Sequence, residues 1–177
     1  MSPSPNTALR VYLVRHAHAA WPLPGVRDFD RGLDERGREE AARLAATLSV
    51  NAFEPDLVHC SSARRCRETL DLLLARAAYQ PKVEHSEILY TTSHEGYLNL
   101  IAEVEDPAIR SVMLIGHNPM IEDASHALLR NEPSAYETAL GGGFPTGGML
   151  IADCDVQGRG AVNGDARFIA LLSPVDA

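Results

Sequence analysis

The sequence predicts one α/β domain, three layers deep (α/β/α), with a mostly parallel central sheet. Short apolar, β-branched runs alternate with segments of amphipathic helical period along most of the 177 residues, which is the pattern of strand–helix units. The length suits one domain with a real core and requires no second one. No internal repeat interrupts the order, and no segment approaches the roughly 20 apolar residues of a membrane span.

Taken in order, residues 1–8 are expected as a flexible tail and 9–177 as the domain. The Met1 to Thr7 stretch is polar, carries two prolines and leads straight into a strand rather than an apolar signal core, so a cytoplasmic protein is expected. Arg10 to Val14 forms the first buried strand and delivers Arg15 and His16 at its C-terminal end. Ala17 to Gly32, with Pro22, Pro24 and Gly25 and no period, is a loop. Asp34 caps a helix over Glu35 to Leu48, whose Ala41, Leu44, Ala45 and Leu48 make an inward stripe. After Pro55 comes a second strand, Leu57 to Cys60. Ser61 or Ser62 then caps a helix with Arg64 and Arg65 in its first turn and Leu70, Leu73, Leu74 and Ala77 inward.

Val83 to His85 is a short third strand. A Ser93-capped helix follows, with Leu98, Ile101 and Ala102 inward. Ser111 to Ile115 is the clearest buried strand, and His117 comes directly after it. Asn118 is expected as a cap with Pro119 at the first position of a helix ending near Arg130. Gly141-Gly-Gly-Phe-Pro-Thr-Gly-Gly148 is a glycine-rich loop, and Met149 to Asp153 and Arg167 to Leu172 are closing strands. Three strand ends thus carry the same residue types: Arg15-His16, Ser61 to Arg65, and His117.

The composition narrows the chemistry. A formal net charge of −8 argues against nucleic acid or an anionic membrane as a general partner, since polyanion binding needs a net basic surface. Three cysteines, Cys60, Cys66 and Cys154, without zinc-ligand spacing, point to reduced thiols. Two arginines and two histidines at neighbouring strand ends suit phosphoryl transfer without metal or other cofactor. An arginine fork matches phosphate and stays charged, while a neutral imidazole nitrogen can attack phosphorus. Arg15 beside His16 disfavours the imidazolium, and the helix N-terminus near Arg65 and the one after His117 both attract an anion.

Leu13-Val-Arg-His-Ala-His-Ala19 resembles the first motif of the histidine phosphatase superfamily. Ser61-Ser-Ala-Arg-Arg-Cys-Arg-Glu-Thr69 resembles its arginine motif, with the catalytic arginine at Arg65, and Leu114-Ile-Gly-His-Asn-Pro119 its second-histidine motif. The resemblance spans about Arg10 to Leu172 and is nearest to the compact SixA-like phosphohistidine phosphatases, as Phe144-Pro-Thr146 before a closing strand also suggests. It implies a phosphoglycerate mutase-like fold without a large cap domain. It also implies a metal-independent hydrolase of phosphoric bonds in which His16 is the nucleophile and Arg15, Arg65 and His117 hold phosphate. By position Glu87 is the first candidate for the proton donor and Glu95 the second, although SixA-like proteins are those in which that acid is least evident. Ala17 stands where the superfamily usually has glycine, and a positive φ there would strain it; His18 is atypical as well.

The substrate expected is a phosphorylated protein carrying phosphohistidine, or a small phosphorylated molecule. Arg65 and His117 are 52 positions apart, which leaves no room for a lid. Other readings fit less. His59-Cys60 with Arg65 misses the H-C-x5-R register of cysteine phosphatases, because Cys66 stands where the arginine belongs. His16-Ala-His18 as a metal pair lacks the roughly 250-residue barrel that would host it. A non-catalytic phosphate-binding module shares every motif and differs only in turnover. Arg64 and Arg67 are expected as solvated or ion-paired helix charges; His59, His85, His94 and His126 as surface or satisfied interior histidines; and the glycine-rich run at Gly141 as a loop rather than a nucleotide fingerprint.

Overall fold

A computed structural model describes residues 8–155 and 166–174. The expected N-terminal tail lies outside the described residues except for Ala8, the first residue of β1. Strand β1 is Ala8–Arg15, β2 Leu57–Ser61, β3 Lys82–Ser86, β4 Ser111–Gly116, β5 Met149–Asp155 and β6 Ala166–Leu172. They form one sheet in the order β3-β2-β4-β1-β5-β6. The β3–β2, β2–β4 and β4–β1 pairs are parallel, and the β1–β5 and β5–β6 pairs antiparallel. Because β2, β4 and β1 are adjacent and parallel, their C-terminal ends share one edge, which is where Ser61, Gly116 and Arg15 lead into the site.

Period-2 alternation splits the core into two layers. Leu9, Val11 and Leu13 of β1, with Val112 and Leu114 of β4 and Leu150 and Ala152 of β5, face one side. Helices α4 (His94–Ala102), α5 (Met120–Leu128) and α6 (Pro133–Leu140) cover that side with Tyr97, Ile101, Ile121, Leu128 and Leu140. Tyr12, Val14, Met113, Ile115, Met149 and Ile151 face the other, beneath α1 (Glu35–Asn51) and α2 (Arg64–Leu74), which contribute Leu44, Ala45, Leu48, Leu70 and Leu73. Each fully buried Val, Leu, Ile or Met side chain among them is worth about 1.5–3 kcal/mol. The result is the three-layer α/β/α arrangement, and no large cap stands on it among the described residues.

Several local expectations are corrected. Neither Ser61 nor Ser62 caps α2: its N-cap is Ala63, which offers no side chain, because the Ser61 hydroxyl is taken by His117. Helix α2 also ends at Leu74, short of Ala77. Pro119, not Asn118, is the N-cap of α5; the Asn118 amide donates instead to Glu122. Ser93 is an N-cap without a side-chain bond to the helix backbone, its hydroxyl being bonded to the Glu95 carboxylate. Ala102 is half-buried, and Tyr97 is the buried residue that sequence reading passed over. Two helices were not expected, α6 and the four-residue α3 (Ile88–Thr91). The Asp34 cap stands, its carboxylate accepting from Gly37 N at 2.9 Å.

Two glycines are required by close approach. A Cβ on Gly37 would collide with the His18 carbonyl, so α1 packs directly on the loop that follows His16; one on Gly116 would collide with Tyr97. Ala17 does not have the positive φ that would strain it: among the described non-glycine residues only Ala52 does. Its backbone N–H is held by Thr69 Oγ1 of α2 at 3.1 Å.

Candidate active site

His16, Arg65 and His117 meet at the shared edge. His16 follows β1, and its backbone N–H donates to Gly116 O of β4. The His16 Nδ1 lies 2.7 Å from the Ala17 carbonyl; a carbonyl only accepts, so Nδ1 carries the proton and the Nε2 lone pair faces the site. Arg65 Nε donates to that Nε2 at 3.1 Å, and Arg65 Nη2 lies 3.2 Å from His117 Nδ1. One guanidinium therefore spans both imidazoles, whose ring centres are 5.2 Å apart. His117 is fixed from behind: Ser61 Oγ stands 2.8 Å from its Nε2, and its backbone N–H donates to the buried Tyr97 hydroxyl. A guanidinium only donates, so His117 Nδ1 accepts from Arg65 Nη2 and the His117 proton resides on Nε2, donated to the Ser61 hydroxyl oxygen.

Burial lowers the His16 imidazole to about 3; the Ala17 hydrogen bond opposes this, while His117, Arg65 and Arg15 reinforce it. Sequence reading credited Arg15, but Arg15 is the smallest of these influences and burial the largest. Burial and the Arg65 charge likewise bring His117 down to about 4. Both rings are neutral at physiological pH. The linkage sign follows: in the unfolded chain each takes up a proton near pH 6.5, and the folded chain does not. Unfolding stability should therefore fall as pH drops from about 6.5 toward 4, by up to about 1.4 kcal/mol per pH unit for each histidine. His59, also lowered by burial, adds in the same direction. Urea midpoints at pH 7.5 and 5.5 check this, and equal midpoints would contradict it.

Arg15 is placed beside His16 but does not join the direct contacts. Its Nη1 donates to the Phe144 carbonyl, its Nε is buried without a partner, and it lines a cavity of about 390 Å³ with His18, Glu40, Asn118, Phe144 and Thr146. The Phe144-Pro-Thr146 segment thus forms a wall of that cavity, on the Arg15 side of His16. Glu40 explains that wall: its carboxylate accepts from His18 N, Arg36 Nε and Thr146 Oγ1. His18 is paired with Asp34 at 2.7 Å. Among the described residues no group of three or more His, Cys, Asp or Glu could hold a metal ion.

Glu87 and Glu95 are both exposed, and no contact described joins either to the cluster. The carboxylate that touches Arg65 belongs to Asp28, on a 3-10 turn over Asp28–Asp30. Sequence reading missed Asp28 because it lies in an aperiodic loop 37 residues before Arg65. Tyr90 was missed as well: its ring packs edge-on to His117 and its hydroxyl donates to Asp28. Arg64 is paired with Glu68 and Arg67 is exposed.

Cys60 is fully buried, and burial drives its thiol well above the ordinary range; burial pushes Cys66 up to about 12. A nucleophilic cysteine needs a thiolate. Cys60→Ser should therefore retain turnover within a fewfold of wild type; loss of activity with a folded protein would revive the cysteine reading.

A pair of neutral imidazoles bridged by one arginine, with a second arginine beside them at the C-terminal edge of a parallel sheet, is an arrangement chemically suited to a phosphoryl group. The chain belongs to the histidine phosphatase superfamily (branch 1), whose family profile matches residues 11–91. Within it the chain is SixA-like. It is 39% identical to a candidate phosphohistidine phosphatase SixA from Agrobacterium tumefaciens, covering 94% of this chain and 98% of that one at a TM-score of 0.82. The protein histidine phosphatase SixA complexed with tungstate shares the fold at a TM-score of 0.77 and 20% identity, over 95% and 99% of the two chains. An uncharacterised chloroplastic protein of Arabidopsis thaliana is 33% identical over 135 residues, 72% of this chain; the chain spans 62% of that relative's length. Family and neighbours support a phosphatase acting on a phosphorylated substrate, and no described helix is long and apolar enough to cross a membrane.

Proposed function

We propose that the chain hydrolyses phosphohistidine, or another phosphoramidate, through a phosphorylated His16. The carrying observation is the single Arg65 guanidinium in contact with both His16 Nε2 and His117 Nδ1. A phosphoryl group attacked by Nε2 has its oxygens beside the Arg65 fork and the His117 imidazole, with the Arg15 charge next to His16 in the chain; fixed cations and donors of this kind are what phosphoryl transfer needs. His16 Nδ1–H stays on the Ala17 carbonyl and steadies the ring as it becomes positive. Water then attacks phosphorus, His16 departs as neutral imidazole, and phosphate leaves. No step calls on a metal.

The substrate class follows from leaving-group chemistry. Imidazole departs from phosphorus more readily than an alkoxide, which needs protonation. Exposed Glu87 lacks a described contact with the cluster, which favours a substrate with little need of an acid. The absence of a large cap among the described residues suits a phosphorylated side chain on a folded protein, met in the cytoplasm. Steady-state kinetics on a phosphohistidine protein, phosphoramidate and a sugar phosphate test this. Phosphohistidine should have the highest kcat/KM, and Glu87→Gln should change it less than twofold. A higher kcat/KM for the sugar phosphate would overturn the reading in favour of a small-metabolite phosphomonoesterase. No turnover of any of the three would leave a phosphate-binding module.

A further inference from the structure

Arg65 is gripped by one residue twice. Its Nη1 donates to the Asp28 carbonyl at 2.7 Å and its Nη2 to Asp28 Oδ2 at 3.0 Å. The Arg65 side chain is 6% exposed and that of Asp28 50%, so the carboxylate lies between the guanidinium and solvent. It is held from three directions: Arg31 donates to Oδ1 at 2.7 Å, and Tyr90 Oη to Oδ2 at 3.1 Å, beside the Arg65 bond. Tyr90 in turn packs edge-on against Phe29 and His117, with ring centres 5.1 and 5.4 Å apart. Burial alone would raise the Asp28 carboxyl, but the hydrogen bonds and the Arg65 charge outweigh it and hold the group at about 2. A phosphatase site has thus a fixed negative charge on its arginine, where an incoming dianion is repelled.

We propose that Asp28 is a specificity-determining residue, its carboxylate selecting leaving groups that carry a proton and positive charge, such as a protonated imidazole, over those bearing a carboxylate or second phosphate. The inference rests on the reading that His16 is phosphorylated. In the first step the His16 Nε2 lone pair forms the new N–P bond, and the substrate P–N bond breaks with its electron pair passing to the ring nitrogen. The other ring nitrogen keeps its proton, so a protonated phosphoimidazole leaves as neutral imidazole and needs no general acid. A carboxylate at the solvent side of Arg65 favours that protonated ring by simple attraction. The same charge opposes an acidic leaving group.

Asp28→Asn separates charge from anchoring, because the backbone carbonyl still accepts from Arg65 Nη1 and the amide oxygen can accept from Nη2 and Tyr90. Expected for the variant is a kcat/KM on phosphohistidine lowered roughly tenfold and one on 3-phosphoglycerate raised severalfold, the scale of one partly screened charge. Tyr90→Phe, which keeps the charge, should change both substrates by a common factor. Both substrates falling equally in Asp28→Asn would make Asp28 a mere support for Arg65 and overturn the proposal, as would an unchanged ratio. Calorimetric binding of inorganic phosphate needs no turnover: the variant should bind it at least about fivefold more tightly, and equal or weaker binding overturns the proposal. Failure of the underlying reading would show separately, as absence of phosphate on His16 in the wild-type protein.

Discussion

His16→Ala is expected to remove measurable turnover while leaving the fold intact. The His16 ring is half-buried, its bonds run to the Ala17 carbonyl and Arg65, and its ring contact is with His117 of the same site rather than with the hydrophobic clusters. No other described group can take its place. His117 Nε2 is occupied by Ser61 and its Nδ1 faces Arg65, and the buried Cys60 and Cys66 are thiols rather than thiolates. Loss of a covalent nucleophile removes a whole pathway rather than a fraction of a barrier. Circular dichroism and a urea midpoint near that of wild type accompany the kinetic assay. An active, folded His16→Ala protein would refute the assignment.

Arg65→Lys should cost about 3 kcal/mol in the barrier, about 10²-fold in kcat, the scale of removing one preorganised donor from an oxyanion site. Lysine preserves the charge but is a single point on a flexible stem. Arg65 acts through three nitrogens at once, Nε to His16, Nη1 to the Asp28 carbonyl, and Nη2 between His117 and the Asp28 carboxylate. No ammonium can occupy those positions together. Arg67→Lys, two residues on and exposed, serves as the control and should stay within twofold. Equal small effects at both positions would remove Arg65 from the phosphoryl site.

The parts of this fold legible in sequence were those set by periodicity and by fixed offsets. All six strands were expected, the clearest because runs such as Val112 to Ile115 are apolar throughout and bounded by polar residues. The cluster of His16, Arg65 and His117 was legible because each lies at or just beyond the C-terminal end of a strand, and a parallel sheet gathers such ends on one edge. What escaped depends on contacts between distant segments. The Ser61 hydroxyl had two possible uses, a helix cap or a histidine partner, and only the approach of β4 decides between them. Helix α6 buries a single residue, Leu140, so it carries too weak a stripe to be seen. Asp28 reaches Arg65 because the loop after β1 folds back over α2, and nothing in an aperiodic segment announces such a return. The position of Arg15, turned toward Phe144, depends likewise on the loop before β5.

The most direct test of the central claim is to locate the phosphate on the enzyme itself. Protein exposed to substrate labelled on the phosphoryl group is quenched in alkali, which preserves phosphohistidine, then digested and mapped. The account predicts stoichiometric label on the peptide containing His16, stable to alkali, lost in acid and absent from His16→Ala. Label on Cys60 or His117, or rapid turnover in wild type with no labelled peptide at all, would contradict it.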